Sequence, residues 1–283
     1  MNQRFLALGG PQLMFWEPLD ILLTPQQVIV KGRKPGASHK FDVSLAPKPL
    51  VAPGQGTDWH AAASALRSAL AGRRRGGTRI RVVLSDGWVR YDLTPMGSGG
   101  LNEDESLLLA HTHFARQYPE TGNDSWILRI ALQKECMLAV GIESALLEAL
   151  REAAASAGAP LSGIEPLFTW VFDRHRMDLV KVSGWLLLDE PGMLTLASIE
   201  SGQLTSLHAQ RCESDPEYAA VQLLERQSAL LSRRSVDVCV ISAGNRVLRL
   251  PVPWRTLWHR SVADFDRTAS AAVAGHATTS NTL

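Results

Sequence analysis

The stretch from Trp185 to Leu207, WLLLDEPGMLTLASIESGQLTSL, decides the fold. Its first apolar run ends at Asp189, and Glu190-Pro191-Gly192 turns the chain into a second run, Met193 to Ile199. Glu200-Ser201-Gly202-Gln203 turns it again into Leu204 to Leu207. Proline and glycine at the breaks, with apolar runs between, predict strand, tight turn, strand, tight turn, strand.

Downstream, Asp215-Pro216-Glu217 opens a helix to about Leu231, with proline at the first helical position. Val236 to Ile241 reads as a strand ending in Ser242-Ala243-Gly244, and residues 268–283 are small and polar, the composition of a disordered tail. Upstream, the same order occurs once before. Ile21 to Val30, broken at Thr24-Pro25, and Phe41 to Ala46 read as three strands, and Pro47 to Gly56 as a loop. A helix capped by Asp58 runs to about Ala71 with Ala62, Leu66 and Leu70 on one face. Ile80 to Leu84 and Trp88 to Leu93 flank Ser85-Asp86-Gly87, an Asp-Gly hairpin signal. Asn102 to Glu105 opens a helix to about Gln117 with an expected apolar face at Leu107, Leu108 and His111. Trp126 to Leu132 and Cys136 to Gly141 form a strand pair, Glu143 to Ala157 a helix rich in Ala, Leu and Glu, and Pro166 to Phe172 a short helix. Strand blocks alternate with helices twice, so the chain is an α/β protein with two similarly built halves. The expected division is a first lobe over 1–182, second-lobe elements over 183–267 and a tail over 268–283.

Composition narrows the function classes. The chain has 283 residues, ample for buried cores, and 29 basic against 28 acidic residues give a formal net charge of +1. No global basic field points to nucleic acid or an anionic membrane. Three well-separated cysteines, Cys136, Cys212 and Cys239, form no CxxC pair, and reduced buried thiols account for Cys136 and Cys239. No run approaches the ~18 apolar residues of a membrane helix, and the opening MNQRFLALGG is too short an apolar stretch for a secretory signal, so a cytoplasmic location is expected.

The segments RVVLSDGWVRYDLTP (Arg81 to Pro95), SWILRIALQKECMLAVGI (Ser125 to Ile142), Gly163-Ile164-Glu165-Pro166, the Asp189 to Gly192 turn and VDVCVISAG (Val236 to Gly244) follow one another in a telling order. In that order and spacing the chain, over roughly Ile80 to Leu248, resembles the cytoplasmic actin-like proteins of bacterial type IV pilus and type II secretion machines (PilM-like proteins and GspL-like cytoplasmic domains). The resemblance implies an actin-like, duplicated ribonuclease H-like fold of two lobes around a cleft. It also implies a scaffold that sits at the inner membrane through its partners. Such a scaffold binds a tail of an inner-membrane assembly protein by strand addition or in a groove of the first lobe. In that superfamily the cleft takes ATP and magnesium, and the resemblance places Asp189, Gly192, Thr195 and Gly244 at the nucleotide. The first-lobe phosphate loop of the superfamily is an Asp, a Gly and a Ser or Thr. The corresponding stretch here, Leu19 to Gln26, keeps Asp20, lacks glycine, and has Pro25 where an amide would be wanted. The adenosine-contacting Gly-Gly is reduced to Ala243-Gly244. No cofactor is therefore expected, and no catalytic residue or metal ligand is assigned. On these broken motifs a plain hairpin turn explains Asp189 to Thr195 better than a phosphate site does.

Other clusters have similarly ordinary explanations. His111 and His113, two apart on a helix, point about 200° away from each other and share no metal. Asp173-Arg174-His175-Arg176 suits a phosphate or an acidic peptide, or simply a solvated turn. Arg73-Arg74-Arg75 suits RNA, an anionic lipid or simply a helix C-terminus, without aromatic residues to stack bases. Trp254 and Trp258, four apart, would share one face of a helix and offer a docking surface.

Three readings follow: a non-catalytic adaptor of a pilus or secretion platform, a divergent actin-fold ATPase or small-molecule kinase, and a basic-patch nucleic-acid binder. The enzyme predicts magnesium-dependent ATP binding that is lost in Asp189→Ala. The nucleic-acid binder predicts steeply salt-dependent RNA or DNA binding, abolished when Arg73, Arg74 and Arg75 are neutralised and measured by titration at several salt concentrations.

Overall fold

The computed structural model describes residues 18–31, 38–42, 59–71, 79–96, 101–119, 125–133, 136–212, 215–244 and 246–262. The first half supplies β1 (Pro18–Leu23), β2 (Gln27–Lys31), β3 (Ser38–Asp42), α1 (His60–Leu70) and β4 (Arg79–Leu84). There follow β5 (Val89–Pro95), α2 (Glu103–Gln117), β6 (Trp126–Leu132), β7 (Cys136–Glu143) and α3 (Ser144–Ser156), then β8 (Leu161–Pro166), α4 (Leu167–Arg174) and α5 (Arg176–Leu179). The second half supplies β9 (Gly184–Glu190), β10 (Met193–Glu200), β11 (Gln203–Arg211), α6 (Pro216–Leu230), β12 (Asp237–Ser242) and β13 (Arg255–Ser261).

The two five-stranded sheets have one topology. The first runs β3-β2-β1-β4-β8 and the second β11-β10-β9-β12-β13. In each, the first three strands form an antiparallel meander, and the fourth and fifth join the first in parallel. A helix, α1 or α6, makes the crossover from third to fourth strand. The halves differ in what lies between their last two strands. In the first half this is an insertion, the three-stranded sheet β5-β7-β6 with α2 and α3; in the second it is only the segment 243–254.

Alternation along β9 ties the layers together. Leu186 and Leu188 enter the large core shared with the first half, while Trp185 and Leu187 enter a second core beneath α6 with Leu194, Leu196, Leu223 and Leu224. Both faces of this strand are covered, which is why its sequence reads as apolar without interruption. The same period of two sends Glu190 toward the first half and Asp189 the opposite way.

Several sequence expectations are redirected. Ser85-Asp86-Gly87 is no hairpin: β4 pairs with β1 and β8, β5 pairs with β7, and a single 3-10 turn at Asp86–Trp88 carries the chain between sheets. Leu161–Pro166 is a strand despite Gly163 and Pro166, because β4 offers it a parallel partner. Helix α2 has its capping box of Asn102 and Glu105, but buries Ser106, Ala110 and Phe114, leaving Leu108 70% exposed. The third strand begins at Ser38, earlier than expected. Asp58, the Arg73 to Arg75 run and the 268–283 tail lie outside the described residues. No helix among the described residues is long and apolar enough to cross a membrane.

Gly184 marks where the second sheet admits no side chain. A Cβ there would stand 2.5 Å from the Asp237 carbonyl oxygen, a backbone atom that cannot rotate away. Gly184→Ala should cost about 1–3 kcal/mol in urea denaturation. Gly244→Ala, where an added Cβ meets nothing within 4 Å, should leave stability unchanged.

Candidate functional site

The repeated topology brings two equivalent turns to one place. In the first lobe β1 ends at Leu23, and Thr24-Pro25-Gln26-Gln27 closes the hairpin with a Thr24 N–H to Gln27 carbonyl bond of 3.0 Å. In the second, β9 ends at Asp189-Glu190, and Pro191-Gly192 turns to Met193, with Gly192 at φ +84°. The fourth strand fixes the correspondence. The Ser85 amide donates to the Leu23 carbonyl at 2.9 Å, and the Ala243 amide to the Asp189 carbonyl at 2.7 Å. Leu23-Thr24-Pro25-Gln26 thus matches Asp189-Glu190-Pro191-Gly192. Asp20, expected to echo the acidic residue, lies three residues too early and is held by Arg81 through two bonds of 2.8 and 2.9 Å.

Between the turns lies a cleft of about 490 Å³ lined by Gln26, Asp189, Pro191, Gly192, Gly244 and Arg246. Three of the four residues assigned to the nucleotide, Asp189, Gly192 and Gly244, therefore share one cavity. The fourth does not: Thr195 is fully buried, and its hydroxyl donates to Asp86 Oδ2 at 2.9 Å. Strand alternation accounts for this, since Thr195 lies opposite Leu188 and shares its inward face.

Asp189 is 1% exposed and fully engaged. Arg246 donates from Nε to Oδ2 at 2.7 Å and from Nη2 to Oδ1, a two-pronged pair, and the Ser242 hydroxyl approaches Oδ2 at 3.3 Å. Pairing with this carboxylate raises the Arg246 guanidinium above its usual pKa. Ser242 Oγ also lies 3.0 Å from His259 Nε2, so a short polar row runs from the cleft into the second sheet. A magnesium-bound phosphate would need an oxygen of Asp189 that is free to face the cation or its waters; here both are committed to a guanidinium. The first-lobe turn offers Leu23 at the matching position, which has no donor or acceptor beyond its backbone. The residues present do not fit a magnesium nucleotide.

Behind the cleft the lobes are joined by buried polar groups that the sequence reading missed. Asp86, 0% exposed, accepts from Tyr91 Oη at 2.5 Å and the Phe168 amide at 3.1 Å on Oδ1, and from Thr195 on Oδ2. Glu190, 1% exposed, accepts from Ser85 Oγ at 2.5 Å and the Asp86 amide at 3.0 Å. Burial pushes both carboxyl groups up, Asp86 to about 6 and Glu190 well above its ordinary value, and the Asp86 charge raises Glu190 further. The available signal was Glu190 itself, a second acid at the end of a strand otherwise wholly apolar.

Most of the remaining candidates are used internally. Of Asp173 to Arg176, His175 packs against the Trp258 ring at 5.6 Å and lies 2.6 Å from Arg260 Nη1; burial and Arg260 hold its pKa down. Trp254 and Trp258 belong to no helix: Trp254 is buried in the core beneath α6, and Trp258 lies on β13 against the shared core. The expected docking pair does not form. His111 is exposed on α2, and His113 faces Thr94 Oγ1 at 3.2 Å. Cys136, Cys212 and Cys239 are not joined in disulfides. Among the described residues no group of three or more His, Cys, Asp or Glu is placed to hold a metal ion.

No protein-family model and no curated protein matches the sequence. Solved structures do. A Bacteroides thetaiotaomicron protein with actin-like ATPase fold and unknown function is 12% identical over 81% of this chain and 82% of its own, with a TM-score of 0.53. The PilM-PilN type IV pilus biogenesis complex contains a chain 11% identical over 82% of each, with a TM-score of 0.56. The cytoplasmic domain of EpsL, an inner-membrane component of the type II secretion system of Vibrio cholerae, is 12% identical over 86% of this chain and 88% of its own, at a TM-score of 0.47. At these identities what is shared is the fold, and it is the actin-like ATPase fold.

Proposed function

We propose that this chain is a non-catalytic scaffold of a bacterial type IV pilus or type II secretion assembly platform. In this reading it works in the cytoplasm and holds a tail of an inner-membrane partner. The observation that carries the reading is the Asp189–Arg246 pair. The acid that the fold would turn toward a metal and phosphate is buried against a cation of the protein's own. The fold it shares with the PilM chain, which is found in complex with PilN, supports a role in holding a partner. The partner tail would add to an open sheet edge or lie in a groove of the first lobe. Among the described residues β3 is such an edge, paired with β2 alone.

Calorimetric titration with ATP and magnesium should give no saturable heat, and millimolar nucleotide no shift in melting temperature. Micromolar binding that disappears in Asp189→Ala would instead support the ATPase or kinase. Immobilised cytoplasmic tails of inner-membrane pilus or secretion proteins should retain the purified chain, and failure of every such tail to do so would remove the adaptor reading.

Arg246→Ala tests the pair itself. It leaves a buried carboxylate without its cation, which should cost about 3 kcal/mol in denaturant unfolding. That is the low end of the range for broken buried pairs, because the Arg246 side chain is 42% exposed and water replaces part of it. Removing both charges in Asp189→Asn/Arg246→Ala should recover most of the loss.

A further inference from the structure

The lobes of this chain meet through two carboxyl groups with no cation between them. Asp86 stands just after β4 of the first lobe and Glu190 at the end of β9 of the second, and the Asp86 amide donates directly to Glu190 Oε1 at 3.0 Å. Both side chains are sealed from water. Among the described residues, every group that faces them is neutral or acidic. Tyr91 comes from β5, the Phe168 amide from α4, the Thr195 hydroxyl from β10 and the Ser85 hydroxyl from the end of β4. Asp189, next to Glu190 in the chain, adds negative charge but is matched by Arg246. Among the described residues no Lys, Arg or His pairs with Asp86 or Glu190. Two adjacent carboxylates in such a place cannot both be ionised: without a cation, the second charge has neither water nor a partner to stabilise it.

We infer that Asp86 and Glu190 form a one-proton latch between the lobes, closed while the pair keeps one proton and released when that proton leaves. The hydrogen-bond pattern places the proton. Asp86 accepts three bonds, the environment of a carboxylate. Glu190 accepts only two, the Asp86 amide on one oxygen and the Ser85 hydroxyl at 2.5 Å on the other, and as the carboxyl with fewer donors it keeps the proton. Burial and the Asp86 charge make this proton hard to lose in the closed state. Opening the junction to water would return Glu190 toward its ordinary 4.5 and shed the proton. The sign follows by linkage. The closed state binds one more proton than the open state between those two limits, so raising the pH favours opening. The opening constant should rise about tenfold per pH unit.

The inference does not rest on the adaptor reading, since the latch would act whatever the chain binds. Hydrogen–deuterium exchange on the full chain tests it, with rates corrected for the intrinsic pH dependence of exchange. Between pH 6.5 and 8.5, the opening constant of the backbone around Asp86, Phe168 and Glu190 should climb by up to about tenfold per unit for as long as Glu190 holds its proton in the closed state. In Glu190→Gln, which keeps the shape and cannot ionise, the climb should vanish. A wild-type opening constant that is flat across this range, or an undiminished slope in Glu190→Gln, would overturn the latch. Should Glu190→Gln not fold, carboxyl-carbon NMR titration of the wild type decides. One carboxyl of the pair should remain protonated at pH 7, and two ionised carboxyls at pH 6.5 would refute the inference.

Discussion

A carboxylate shut away from water must find every partner inside the protein, and Asp86 finds them in three separate units. Its acceptors are filled by the Phe168 amide of the first lobe, the Tyr91 hydroxyl of the insertion and the Thr195 hydroxyl of the second lobe. An unpaired buried polar group costs on the order of 1–3 kcal/mol, and a charged one more. The three units are therefore constrained together: moving any one leaves Asp86 underbonded in a low-dielectric site, where networks of this kind act as wholes. Apolar contact alone would let the sheets slide against each other. The hub fixes where they stop.

The same duplicated turn is built twice with opposite chemistry. In the first lobe Leu23 and Thr24 occupy the places of Asp189 and Glu190, and Thr24 spends its hydroxyl on its own turn, accepting from the Gln27 amide at 3.1 Å. The second lobe puts two acids there, and strand alternation sends them to different fates. Asp189 faces the cleft and takes a cation, Arg246; Glu190 faces the first lobe and takes donors and a proton. Both acids are thus satisfied from within the chain. The cleft of about 490 Å³ is lined by an acid whose charge is matched by the chain itself.

Much of the fold was legible because the strands of the second half are marked by punctuation: Pro191-Gly192 and Ser201-Gly202 fall at residues with φ of +84° at Gly192 and +48° and +77° at Ser201 and Gly202, where turn chemistry leaves little choice. The misreadings share one cause, a local signal overruled by a distant partner. Asp86-Gly87 looks like a hairpin until β4 is claimed by β1 and β8. Trp254 and Trp258 look helical by spacing until β12 recruits the segment into the sheet. Gly163 and Pro166 disguise a strand that β4 alone makes possible. At the site, an acid ending an apolar strand announces itself, whereas its partner Arg246 lies 57 residues away in a segment with no local peculiarity. Single-sequence patterns report which groups must be satisfied, and seldom by whom.

The insertion then bears on whether the lobes can move independently. Edge strands need covering, and the insertion covers the start of β11 with side chains rather than with another strand: Gln133 Oε1 accepts from the Leu204 amide at 3.2 Å, and Cys136 Sγ donates to the Leu204 carbonyl at 3.4 Å. With Tyr91 reaching Asp86 from the other end of the same small sheet, the insertion is tied to the second lobe at Leu204 and to the junction at Asp86. A rigid-body rotation of one lobe would have to break polar bonds at both places. Such a rotation must therefore begin with a change in the groups that hold them. Of those, the acidic pair at Asp86 and Glu190 has a state that pH alters directly, the single proton it holds.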